Sequence, residues 1–174
     1  MSDSVIIEPI AKDDDEGLFR LMSSEHDRLR PYFPLTCARC SDLRSTRAYI
    51  KEMIARAKQR EFYCFALRDY EGGAPIGLIF LKEFDWTVPK CETAYFIGSL
   101  YERKGLTTLG LYWTVDYAFA QLGMEKVYAR VDPKNIASCT VLERCGFERE
   151  GLMRRDYRTA DGRVLDLLMY SVLS

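Results

Sequence analysis

Apolar residues recur along this chain with two periods, and the change from one to the other marks its elements. Short apolar runs, alternating or continuous and bounded by turn residues, predict strands at about 5–9, 62–68, 75–84, 91–100, 125–131, 147–157 and 163–173. Apolar residues three and four apart predict helices at about 13–24, 42–60, 106–122 and 136–144. Local signals agree with these bounds. Asp13-Asp14-Asp15-Glu16 places negative charge at the favourable end of the first helix, Asn135 is a good N-cap, and Gly123 and Gly146 supply stops. Asp69-Tyr70-Glu71-Gly72-Gly73 and Asp161-Gly162 each read as hairpin turns between apolar runs. A stripe containing Tyr112, Trp113 and Phe119 reads as core-facing. Strands and helices mix without strict alternation. That predicts one α/β domain of the α+β type over 1–174, with a mixed, largely antiparallel sheet of about seven strands flanked by about four helices.

Composition narrows the classes of function. The chain has 174 residues, 48% of them hydrophobic, enough for one substantial core. Its 25 basic and 26 acidic residues are interspersed, so no basic footprint for nucleic acid is expected. No apolar run reaches the roughly 18 residues of a membrane span, and the polar start Met1-Ser2-Asp3-Ser4 lacks a signal-peptide pattern. A cytoplasmic protein, monomer or homodimer, is the expectation, with its six cysteines reduced. Cys37-Ala38-Arg39-Cys40 is a C-x-x-C pair, but a zinc site needs about four ligands and His26 is the one histidine. Packing cysteines and no metal are therefore expected.

Three signals carry chemistry. Arg103-Lys104-Gly105-Leu106-Thr107-Thr108 follows a predicted strand and opens a predicted helix. First-turn N–H groups there have no partner within the helix, and the positive dipole end attracts anions beside two cationic side chains. A phosphate-bearing ligand is the natural occupant. Asn135-Ile136-Ala137-Ser138 opens the next helix, and Glu143-Arg144-Cys145-Gly146-Phe147 closes it.

In order and spacing these segments resemble the GNAT superfamily of acyl-CoA-dependent N-acetyltransferases. Val5-Ile6-Ile7-Glu8-Pro9 is similar to that fold's opening strand. Leu29-Arg30-Pro31-Tyr32-Phe33-Pro34 resembles the Leu-x-x-Trp-Leu-Pro stretch of the RimJ/RimL-type branch, with Tyr32 in place of tryptophan. The tail from Glu150-Gly151-Leu152 through Asp166 to Tyr170-Ser171 resembles the same branch. The resemblance implies direct transfer of acetyl from acetyl-CoA to a primary amine in a ternary complex. The implied acceptor is a protein N-terminal α-amino group, or else a small-molecule amine such as a polyamine, antibiotic or metabolite.

Site residues follow from the same resemblance. Arg103, Lys104, Gly105, Leu106, Thr107 and Thr108 would hold the pyrophosphate, and Asn135 and Ser138 would lie along the pantetheine. A backbone N–H near Ile97 or Gly98 would meet the developing oxyanion. Gly98 interrupts an apolar strand, which fits either a close backbone approach or a plain turn. Glu92, on the strand before the loop, is the candidate base if partly buried; the alternative is a solvent-facing strand residue. Ser138 is the candidate acid, or else a first-turn serine bonding to backbone. Departures from the family pattern occur at Glu102, where Arg or Gln is usual, at Thr107, where Gly or Ala is usual, and at Leu142, where many members carry the acidic tyrosine. The first places a carboxylate near a polyanion and keeps a third possibility open, a CoA-binding regulatory protein without catalysis. His26 borders the acceptor region in the resembling proteins and is either an acceptor contact or a surface residue.

Overall fold

The computed structural model describes residues 5–69 and 73–174. Met1–Ser4, including the polar start, and Tyr70–Gly72 of the first predicted turn lie outside the described residues. The strands are β1 (Ile6–Pro9), β2 (Tyr63–Arg68), β3 (Gly77–Asp85), β4 (Lys90–Ile97), β5 (Lys126–Val131), β6 (Glu148–Arg158) and β7 (Val164–Leu173). The helices are α1 (Asp15–Ser24), α2 (His26–Leu29), α3 (Pro34–Arg39), α4 (Leu43–Lys58), α5 (Leu106–Ala120) and α6 (Ile136–Arg144). The four helices read from periodicity are α1, α4, α5 and α6. The short α2 and α3, at 4 and 6 residues, are too brief to show a period. β4 stops at Ile97 rather than 100, because Gly98 bonds back to Ile76 and the chain then winds into a 3-10 turn at Ser99–Tyr101.

All seven strands form one sheet in the order β1-β2-β3-β4-β5-β7-β6, antiparallel throughout except for the parallel pair β4–β5. Because side chains alternate across a strand, β4 divides its residues between two cores. Cys91 and Ile97 face α5 and α6 with Leu111, Val115 and Leu142, whereas Phe96 faces α1, α3 and α4 with Leu18, Met22 and Ile50. Leu111 and Leu142 are fully buried and seat α5 and α6 on the sheet, each contributing about 1.5–3 kcal/mol by burial. Leu142, where many resembling proteins place a tyrosine, is thus core packing. Asp42 caps α4 by accepting from Ser45 N–H at 2.8 Å. No helix among the described residues is long and apolar enough to cross a membrane.

The aromatic stripe on α5 is only partly interior. Phe119 packs against the core, but Tyr112 and Trp113 are half-exposed. The Tyr112 hydroxyl donates to the Arg144 carbonyl at 2.7 Å, which needs the ring at the surface. Trp113 covers the core flank edge-on to Phe65 and stacked on Tyr117.

Candidate active site

The parallel pair β4–β5 is paired only at Lys90↔Lys126, Cys91↔Val127 and Glu92↔Tyr128. β4 stays paired with β3 as far as Ile97↔Gly77, and β5 with β7 as far as Val131↔Leu168. The two strands therefore part after Glu92, and the sheet opens into a V. Gly98 N–H donates to Ile76 O at 2.7 Å. By alternation, the even-numbered residues of β4 turn their backbone groups to β3, and Tyr95 and Ile97 turn theirs into the V. Strand-edge donors left without a strand are open to an extended ligand.

Gly98 is excluded as an oxyanion donor, since its N–H is spent on Ile76; Ile97 N–H is left. A Cβ at Gly98 would stand 3.1 Å from Leu21 Cδ1 and 3.3 Å from the Ile76 carbonyl, so close approach explains this glycine.

At the mouth of the V the chain curls through Arg103 and Gly105, both left-handed with φ of 61° and 77°. The first bond of α5 runs from Leu109 N–H to Gly105 O at 3.1 Å. The N–H groups of Leu106, Thr107 and Thr108 precede it and are free of the helix ladder. Lys104 lies over the Tyr101 ring at 5.3 Å. The free N–H groups and the two cationic residues thus lie together at the start of α5, where the sequence predicts an anion site.

Glu102 is paired with Arg28, which it shares with Glu25. Arg28 on α2 holds its carboxylate at 3.2 Å, bonds Glu25 at 2.6 Å and donates to the Ile97 carbonyl at 2.5 Å. Glu25 in turn accepts from Ser99 N–H at 2.9 Å and from the Ser99 hydroxyl at 2.7 Å. Burial raises the Glu25 carboxyl, but the bonds from Ser99 and Arg28 outweigh it and hold the group below its usual value. The end of α1 and the start of α2 are thereby tied to the phosphate loop.

Glu92 is buried, which removes the solvent-facing reading. It lies on the α1–α4 face of β4, and both its oxygens are engaged: Arg130 Nε and Nη2 donate at 3.0 Å each, and Lys82 stands at 3.4 Å. Arg130 also bonds Asp156 at 3.1 Å, and its own charge is strengthened first by Glu92. One residue on, Thr93 is buried on the opposite face, and its hydroxyl has no hydrogen-bond partner among the described residues.

Ser138 stands on that opposite face, so the structure does not bring it together with Glu92. Asn135 caps α6 by accepting Ser138 N–H at 3.1 Å. The Tyr95 hydroxyl lies 3.0 Å from the Ser138 hydroxyl and 3.2 Å from the Ser138 carbonyl, so its one proton can go to either. His26 opens α2 and lines a 670 Å³ pocket with Glu25, Arg28, Ser41 and Ser99; neither Glu92 nor Ser138 lines it. Cys37 and Cys40 are buried free thiols in the α1–α4 core, with Cys40 pushed up to about 12 by burial.

Arg28, Thr93, Tyr95 and Arg130 carried no motif in the sequence. Tyr95 shares a face with Cys91 by simple alternation, but its partner helix is a tertiary fact. The far wall is held by Tyr32, whose hydroxyl donates to Asp132 at 2.9 Å, and by Tyr157, which donates to the Pro31 carbonyl at 3.1 Å.

The donor set fits a phosphate-bearing, extended, amide-containing ligand. The comparisons with known proteins point the same way. The chain is 27% identical over 158 residues to the probable N-acetyltransferase YjcK of Bacillus subtilis, covering 89% of this chain and 86% of that one. It is 32% identical over 115 residues to the uncharacterized N-acetyltransferase p20 of Bacillus licheniformis, covering 59% of this chain and 64% of that protein. It is 29% identical over 85 residues to the spermidine N(1)-acetyltransferase of Escherichia coli, at 49% and 46% coverage. Its fold superposes on the ribosomal-protein-S5-alanine acetyltransferase of Vibrio fischeri with a TM-score of 0.90, at 18% identity, over 99% of this chain and 94% of that one. For RimJ of Mycobacterium smegmatis, in complex with CoA-disulfide, the TM-score is 0.87 at 21% identity, over 98% and 82%. The acetyltransferase (GNAT) domain profile matches residues 4–148, and this chain belongs to the GNAT acetyltransferase family.

Proposed function

We propose that this protein is an N-acetyltransferase that moves acetyl from acetyl-CoA to the α-amino group of a protein or peptide. The observation that carries the acceptor is the engagement of Glu92. A carboxylate whose two oxygens hold Arg130 and Lys82 is poorly placed to strip a proton from a strongly basic amine. An α-amino group, with pKa near roughly 7.7–8.0, is about a fifth to a third neutral near physiological pH without help, whereas an alkyl ammonium near roughly 10.4 is only about a thousandth neutral. Glu92 then acts as a clamp that fixes where β4 and β5 part.

Acetyl-CoA supplies the activated thioester. The N–H groups of Leu106, Thr107 and Thr108, with Arg103 and Lys104, bind the pyrophosphate. Tyr95 orients the pantetheine arm through its backbone groups, and Asn135 borders it. Ile97 N–H faces the negative charge that develops on the carbonyl oxygen. Ser138 donates a hydrogen bond to the departing sulfur. Glu102 is tied to Arg28, and Arg103 and Lys104 leave the cradle net positive, which favours binding of the donor. Similarity to spermidine N(1)-acetyltransferase keeps a polyamine as the second acceptor.

The test is acetyl-CoA incubated with a panel of free-N-terminus peptides, lysine-bearing blocked peptides, polyamines and amino sugars, read by mass spectrometry. Acetyl on peptide α-amines supports the proposal. Acetyl confined to polyamines or other small amines overturns the acceptor, and CoA binding without transfer to any acceptor overturns the activity.

A further inference from the structure

Thr140 and Ser138 occupy the same helix and treat their hydroxyls differently. Thr140 Oγ1 donates to the Ile136 carbonyl four residues back at 2.9 Å, the ordinary resting bond of a helical hydroxyl. Ser138 is in the first turn of α6, where the residue four back, Lys134, precedes the helix, so its hydroxyl is open to another partner. Its N–H is taken by the Asn135 cap, and its hydroxyl sits 3.0 Å from the Tyr95 hydroxyl, which arrives from β4 at the edge where the sheet opens. Among the described residues Tyr95 is the side-chain partner of that hydroxyl.

The geometry points to Tyr95 as a positioning residue that holds the Ser138 hydroxyl with its proton free for the sulfur of the acyl donor. The inference rests on the reading of Ser138 as donor to that sulfur. A phenol has one proton. Two acceptors lie within its reach, the Ser138 carbonyl at 3.2 Å and Ser138 Oγ at 3.0 Å; given to Oγ, the shorter contact, it turns the serine's own proton out of the pair, and the two bonds polarise one another in series. Burial raises the Tyr95 phenol above its ordinary value, so it stays protonated and serves as a donor rather than a proton source. In the transfer the amine nitrogen bonds to the carbonyl carbon, the carbon–sulfur bond breaks, and its electron pair stays on sulfur. The nitrogen releases one proton to solvent and the sulfur takes one up. Ser138 and Tyr95 neither gain nor lose a proton; they stabilise the thiolate while it exists.

Calorimetric affinity for CoA relative to desulfo-CoA, followed from neutral to alkaline pH, isolates the sulfur contact without turnover. A donor to the thiolate makes the CoA preference grow with pH in the wild type. Tyr95→Phe is expected to cut the preference at alkaline pH by about three- to tenfold, the size of one hydrogen bond, with desulfo-CoA affinity unchanged. In a Ser138→Ala background it is expected to have no further effect. Three results overturn the inference: an unchanged preference in Tyr95→Phe, effects of the two substitutions that add, or equal losses for CoA and desulfo-CoA, which mean Tyr95 only shapes the site. A wild-type preference in Ser138→Ala instead refutes the reading of Ser138 itself.

Discussion

Substituting Glu92 by Gln separates a clamp from a general base. The carboxylate is buried, accepts from Arg130 Nε and Nη2 at 3.0 Å each, and faces Lys82 at 3.4 Å. Glutamine keeps one acceptor oxygen, so one Arg130 bond survives. The other is replaced by an amide N–H facing a guanidinium N–H, and the Lys82 attraction is lost. Hydrogen bonds to charged groups contribute about 1.5–3 kcal/mol each. Arg130 is 31% exposed and keeps Asp156, so solvent offsets part of the loss. A net destabilisation of about 2–3 kcal/mol follows, or roughly 4–12 °C for a chain of this size. Turnover at saturating substrates, measured by thiol release below the unfolding range, is expected to change far less than the roughly 10²–10⁴-fold that losing a general base brings. A collapse of that size with an unshifted melting temperature would refute the clamp.

Three further outcomes follow from the same contacts. Glu102→Gln should change acetyl-CoA affinity only modestly in calorimetry, because the carboxylate is directed to Arg28 rather than to the helix start; a large gain would show that the charge opposes the donor. Glu25 has its folded pKa lowered below 4.5, so its stabilisation is present above 4.5 and is lost as pH falls through the depressed value. Urea unfolding of Glu25→Gln should show a deficit near neutral pH that shrinks in strong acid, and a deficit independent of pH would contradict this. Thr93→Val should leave the melting temperature equal or higher, since it removes a buried hydroxyl with no partner among the described residues. It should also weaken CoA binding if that hydroxyl meets the donor, and calorimetry reads the second effect.

Much of the architecture was legible because it is written in period and punctuation. All seven strands and the four long helices follow from alternation, helical spacing and the caps at Asn135 and Gly105. The anion cradle was legible because a glycine, two cations and a helix start are contiguous in sequence. What sequence did not show lies in pairings between distant positions. The parting of β4 from β5 depends on where a parallel register stops, and no local residue marks Glu92↔Tyr128 as its last step. The Arg28–Glu102 pair gave an apparently unpartnered carboxylate a cation from a distant helix. Arg130 changed the meaning of Glu92, which reads as a base only while its partners are unseen. Tyr95 took a place beside Ser138 that the helix position at Leu142 could not fill. The stripe of Tyr112 and Trp113 misled because aromatic residues at helical spacing also cover a core flank, where a hydroxyl can reach a helix end.

The most direct test of the account is the pH–rate profile of CoA release with a lysine-free peptide bearing a free N-terminus, run beside spermidine. The account predicts a peptide rate that rises tenfold per pH unit and levels near the peptide's own α-amino pKa, at roughly 7.7–8.0. Turnover of spermidine alone, with no release from any peptide, would contradict it.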